Sequence, residues 1–206
     1  MSTERVLPVP RAVAIGRWWF KNRSLSPIPL FALMVVLTPD VLWTAPAMAL
    51  IILGIALAQC IRIWAVGYAG SATRTRGNTV PQLVHAGPFR LVRNPLYVAN
   101  ILLYSLCSLL FGFYWLTAFT FVFSCVEYTF IVRFEEDTLR HSFGAPYQKY
   151  CDSVWRWWVS PIPRIGSSDH VFELKRALRS ERSTLYSVTA MAVIFAVKTY
   201  FLQQKG

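Results

Sequence analysis

Five continuous apolar stretches, at 28–43, 45–66, 96–111, 113–132 and 185–202, constrain this chain more than any other feature. A helix needs about 20 mostly apolar residues to cross a bilayer core. Inside that core every backbone N–H and C=O must be satisfied within the protein, which leaves helices or closed barrels. These runs are unbroken rather than alternating, so they predict an all-α, polytopic membrane helical bundle of about five transmembrane helices. The first run is short and bent by Pro39. The connections at 38–46 and 112–114 are tight, which makes two helical hairpins. Lys198, inside the last run, is expected to snorkel outward.

Composition agrees. Of 206 residues, 55% are hydrophobic and 15% charged, where soluble domains carry roughly 25% charge. This excludes a soluble enzyme, a secreted disulfide scaffold and a disordered chain. Cys60, Cys107 and Cys125 lie within apolar runs and Cys151 in a basic segment, with no C-x-x-C pair, so neither a zinc site nor a structural disulfide is expected. His85, His141 and His170 are scattered, and no metal site is expected. The N-terminus does not read as a cleaved signal peptide, because its first long apolar run starts only near Pro27.

The net charge of +11 is distributed unevenly. Five basic residues precede the first apolar run, five lie between Arg62 and Arg93, and nine between Arg133 and Arg182, while the short connections carry none. That is the positive-inside pattern. It places the N-terminus, the basic segments and any active site on the cytoplasmic face, and speaks against a nucleic-acid role. The chain divides into a cytoplasmic or interfacial segment at 1–26, a membrane core at 27–163, and an amphipathic helix with a C-terminal membrane helix at 164–206. The stretch 169–182 reads as a membrane-surface helix capped by Asp169, with Val171, Leu174 and Leu178 on one side and Lys175, Arg176, Arg179 and Arg182 supplying charge.

Polar chemistry gathers in two segments on that face, 67–97 and 133–163. The first contains His85-Ala-Gly87-Pro88-Phe-Arg90-Leu-Val-Arg93-Asn94-Pro95-Leu-Tyr97. Gly87 and Pro88 force a turn. Asn94 and Pro95 suit the cap and first position of a helix. The free amides there can hold an anion, with Arg90 and Arg93 adding charge. The second contains Glu135, Glu136 and Asp137, then Tyr147 and Tyr150, then a Trp-rich end. Three acids at the end of a membrane helix oppose its dipole, so they need a partner. Two readings stay open: an internal network with Arg90, Arg93 and Arg133, or a bound cation or polyol. Glu127 lies eight residues before Glu135 on the same helical stripe, about 12 Å deeper at 1.5 Å per residue. An acid inside a span is a functional candidate.

Together, G-P-F-R-x-x-R-N-P-L-Y, a hydrophobic hairpin, then E-E-x-x-L-x-x-x-F-G-x-x-Y-x-x-Y and a Pro-containing end resemble the isoprenylcysteine carboxyl methyltransferase and phospholipid methyltransferase superfamily. The resemblance covers roughly 57–163 and includes Arg62-Ile-Trp-Ala65. It implies a helical membrane core with a cytoplasmic-side pocket for S-adenosylmethionine. By that resemblance Gly87, Pro88, Arg90, Tyr97, Glu135, Glu136, Tyr147 and Tyr150 bind the cofactor, with the larger effect expected for Glu136 of the two acids, and His85 beside them is a further cofactor-binding candidate. Arg93, Asn94 and Glu127 stand as the catalytic candidates. Glu127, Glu135 or His85 could take a proton from an amine acceptor. The acceptor is a lipid or lipid-like amphiphile, carboxylate or amine, entering from the bilayer. Asn94 stands where the carboxyl methyltransferases have His, and the upstream G-x-G of the phosphatidylethanolamine enzymes is reduced to Gly54-Ile-Ala56, so the substrate is inherited from neither. The alternatives are a sterol-type reductase using NADPH, for which the chain is short, and a non-enzymatic adaptor for anionic lipid, which leaves the acids without a purpose.

Overall fold

The computed structural model describes residues 10–69, 83–161 and 166–204, apart from the side chain of Gln203. Arg5, Arg74, Arg76, Pro163 and Arg164 of the expected basic and Pro-containing segments lie outside these residues. Among the described residues the ordered elements are all helical. They are α1 (Arg11–Asn22), α2 (Pro27–Val36), α3 (Ala45–Ala69), α4 (Pro95–Leu110), α5 (Tyr114–Phe143), α6 (Ala145–Ser153) and α7 (Leu174–Gln203), with a 3-10 turn at Gly87–Arg90.

The chain is a helical membrane bundle. Helices α3, α5 and α7 are long and apolar enough to cross a bilayer, and α2 and α4 are shorter apolar helices. The two short ones begin at prolines and end early for local reasons. Pro39 stops α2 from continuing, because it has no N–H to give. The Phe111–Phe113 reversal stops α4, and there the Gly112 carbonyl accepts from the Asp40 and Val41 amides. Helix α3 packs against α4 and α7, α5 against α1, α4 and α6. Helix α1 approaches α5 so closely that a Cβ on Gly16 would sit 2.0 Å from the Phe130 carbonyl oxygen.

Large apolar side chains on the outer faces, such as Leu50, Leu53 and Leu57 of α3, Val122 of α5 and Val193 of α7, are exposed. In water they would be a liability; against acyl chains they are at home. The inner faces hold Met34, Ile55, Leu103, Phe113 and Leu116.

Three expectations change. Helix α5 runs on to Phe143, so Glu135 and Glu136 lie well inside a helix and not at its end. The dipole acts only within the last turn, and these acids do not feel it. The surface helix expected at 169–182 and the span at 185–202 are one helix, α7, beginning at Leu174 with Glu173 and not Asp169 at its N-cap. No glycine or proline separates the two halves. Arg176 and the Glu173 amide both donate to the Gly67 carbonyl, tying the start of α7 to the end of α3.

Lys198 does not snorkel. Its ammonium donates to the Met34 and Leu37 carbonyls at 2.6 and 2.5 Å and lies near the Phe111 and Phe113 rings. It satisfies carbonyls left open at the end of α2. Lys198→Met strands both, and hydrogen bonds to charged groups contribute about 1.5–3 kcal/mol. The melting temperature in detergent should fall by a corresponding amount, with ligand binding at the opposite end unchanged.

Candidate functional site

The bundle encloses a cavity of about 670 Å³ between α2, α3, α4, α5 and α7. One end is charged and aromatic. Its walls carry Arg23, Arg93, Asn94, Tyr97, Glu135, Glu136, Tyr147 and Tyr150. The other end is formed by Phe31, Leu103, Tyr104, Cys107, Val188 and Met191. Helix α4 alone shows the gradient: Asn94 caps it at the charged end, and Cys107 lies about 20 Å further along at 1.5 Å per residue.

The charged end is held by a staple between distant segments. The Arg93 amide donates to the Trp155 carbonyl at 2.9 Å and the Ser160 amide to the Leu91 carbonyl at 2.7 Å. Asn94 occupies the N-cap position of α4, but its side chain makes no cap hydrogen bond. Instead Nδ2 donates to the Arg156 carbonyl at 3.2 Å. The Trp-rich end therefore closes the Arg-Asn-Pro turn from behind. Tyr150 donates its hydroxyl to the Phe89 carbonyl at 2.7 Å. Burial pushes the Tyr147 and Tyr150 phenols well above their ordinary range, so both remain neutral hydrogen-bond donors.

The two acids have different surroundings. Glu136 is 3% exposed and belongs to an internal arginine network. Arg156 grips it bidentately at 2.9 and 2.6 Å, with Arg93 at 3.5 Å and Arg140 at 3.7 Å. This hydrogen bonding pushes the Arg156 guanidinium above its ordinary range. Glu135 has Tyr97 and Arg23 as neighbours and also lines the cavity. Arg93 Nε is buried and has no hydrogen-bond partner among the described residues.

Other candidates lie elsewhere. His85 ties a loop together, through its ring to the Gly166 carbonyl and its amide to Ser168 Oγ, and does not line the cavity. Gly87 has φ +55°, and a Cβ there would lie 2.3 Å from the Tyr68 ring, so the turn admits only glycine. Pro88 and Arg90 belong to the same 3-10 turn behind the wall. Glu127 is buried, with Oε1 unpartnered among the described residues, and lies outside the cavity lining.

Sequence reasoning named Arg62 within the resemblance and passed over its partner Glu181. Arg62 donates to Glu181 from Nε at 2.9 Å and from Nη2 at 3.1 Å, to Thr184 at 3.3 Å, and to Asn100 Oδ1. Glu181 is 1% exposed. Its only sequence signal was an acid among basic residues, which reads as a surface charge pair.

These features define a class: an α-helical integral membrane protein whose interior joins a charged end to an apolar one. Over residues 42–146, half of its length, the sequence matches the family described as Phospholipid methyltransferase. The chain belongs to that family and is a membrane methyltransferase. No curated protein matches the chain, and no solved structure matches it.

Proposed function

We propose that this protein transfers a methyl group from S-adenosylmethionine to a lipid or lipid-like acceptor, with the cofactor at the charged end of the cavity and the acceptor's chain at the apolar end. The observation that carries this reading is the continuity of the two ends in one cavity. The basic face, by its charge excess, is the cytoplasmic one.

The residues present fit the cofactor. It is a zwitterion with an additional sulfonium, and the site offers both signs of charge. The buried Arg93 Nε is a donor with no partner among the described residues, suited to the methionyl carboxylate. Glu135 suits the ammonium or the ribose hydroxyls. Phe20, Phe89 and Phe134 line the same end and suit an adenine face. Bound there, S-adenosylmethionine supplies an already activated methyl group.

The protein's part is then alignment. Holding two reactants in line removes up to ~7–11 kcal/mol of barrier. Glu136 and its arginines fix the Arg-Asn-Pro turn. The neutral phenols of Tyr147 and Tyr150 close the charged end and exclude water. A carboxylate acceptor needs no base; for an amine acceptor, Glu135 is the proton acceptor, because the other carboxylates of the cavity wall, Glu136 and Glu181, are held by arginines.

Purified protein should gain about 2.7 kcal/mol of stability from S-adenosylhomocysteine at a hundredfold excess over its dissociation constant, seen as a rise in melting temperature. NADPH should have no effect. A response to NADPH alone would support a reductase and overturn the methyltransfer reading.

A further inference from the structure

Pockets of about 300–1,000 Å³ ordinarily hold one drug-sized ligand. The cavity, at about 670 Å³, lies in the middle of that range. Methyl transfer brings two molecules together in it, and the cofactor occupies much of the charged end. The acceptor's head and the first part of its chain can share what is left. The rest of the chain has to leave through the wall.

The exposed lining residues mark where the wall opens. Most of the lining is buried or half-buried; Ser24, Ser183 and Ser187 are exposed. Ser24 lies in the turn between α1 and α2, and the other two lie one turn apart on α7. Ser187 falls inside the apolar run 185–202, and its outer neighbours Tyr186 and Val193 are exposed. The opening along α7 therefore faces acyl chains and not water.

The packing around it is one-sided. Leu30 and Met34 of α2 share an apolar cluster with Met191 of α7. Lys198 ties α7 to the last carbonyls of α2. Both ties lie further along α7 than Ser187. Among the described residues the backbones of α2 and α7 do not pack closely against each other, and α7 packs against α3. The seam between α2 and α7 is thus closed at its far end and opens at the level of the serines. The Ser187 hydroxyl donates to the Ser183 carbonyl at 2.9 Å, so it is satisfied within its own helix. What it gives the opening is a small side chain. Small residues one turn apart usually let a second membrane helix approach; here the cavity lies beneath them.

We propose that the seam between α2 and α7, at Ser183 and Ser187, is a side door in the bilayer, which the chain of the lipid acceptor enters and then straddles while its head is at the charged end. The assignment rests on the methyltransfer reading above. It gives α7, which lies beyond the matched residues 42–146, a part in acceptor binding. It also means that the site selects on the head and the first part of the chain, because the remainder stays in the membrane.

The test titrates two ligands separately, S-adenosylhomocysteine and dioctanoyl phosphatidylethanolamine, with melting temperature read in detergent. Ser187→Trp fills the door. It should leave the affinity for S-adenosylhomocysteine unchanged and weaken stabilisation by the lipid roughly tenfold or more. Ser183→Trp should do the same, and it decides the matter if the first variant does not fold. Ser187→Ala should keep both responses, because size and not the hydroxyl matters. Thr189→Trp should also keep both: Thr189 is exposed, lies outside the cavity lining and is about 200° round the helix from Ser187. Full lipid stabilisation in the tryptophan variants at 183 and 187 would overturn the proposal, as would an equal loss in Thr189→Trp or a lipid response missing from the wild type. A wild-type dimer that Ser187→Trp splits into monomers would overturn it too, by showing that a second copy covers this face. Failure of S-adenosylhomocysteine to stabilise the wild type would overturn the methyltransfer reading instead and leave the lipid comparison readable.

Discussion

Glu136→Gln should destabilise the protein by about 3 kcal/mol, the lower end of the cost of breaking a buried ion pair. Glu136 is buried among three arginines. A neutral amide leaves their charges uncompensated around a buried position. The lower end applies because Arg156 and Arg140 are 34% and 50% exposed and recover part of their hydration. The staple between the Arg-Asn-Pro turn and the Trp-rich end should loosen with it, because Arg156 contributes both the guanidinium that holds Glu136 and the carbonyl that holds Asn94. Melting temperature in detergent measures the loss. On the fraction that remains folded, affinity for S-adenosylhomocysteine should fall by less than the stability change implies. A stable variant that has lost the cofactor analogue would show that Glu136 touches the ligand directly.

Glu135→Gln should do the reverse. Its carboxylate lines the cavity and, among the described residues, has Arg23 as its nearby counter-charge. The change should cost little stability. It removes a charge-assisted hydrogen bond of ~1.5–3 kcal/mol, so S-adenosylhomocysteine should bind roughly ten- to a hundredfold more weakly. Calorimetry beside melting curves on the same preparations separates the two effects. Unchanged affinity would move the cofactor away from Glu135. The geometry thus transfers the expected larger binding effect from Glu136, where the sequence motif put it, to its neighbour.

Adjacent identical acids cannot be told apart in a sequence, because their difference lies in where a helix turns each of them. Residues 135 and 136 are about 100° apart around α5 at 3.6 residues per turn. One meets Arg93 and Arg156, which come from other segments, and the other meets Tyr97 and Arg23. The same reasoning applies to Lys198. A lysine near the end of an apolar run snorkels unless acceptors are nearer than the interface, and only packing brings the end of α2 beside it.

What the sequence determined alone is what hydrophobicity and local chemistry govern. The apolar runs required membrane helices, Pro95 started α4 and Gly87 made a turn, because each follows from solvation or from one residue's backbone. The tertiary structure alone decided which charges are paired inside and which face the cavity. It joined 174–182 to the last span, ended α5 at Phe143 and set Glu181 against Arg62 across more than a hundred residues of chain. Those outcomes depend on long-range contacts, in which desolvation makes a buried charge costly until a particular distant partner arrives.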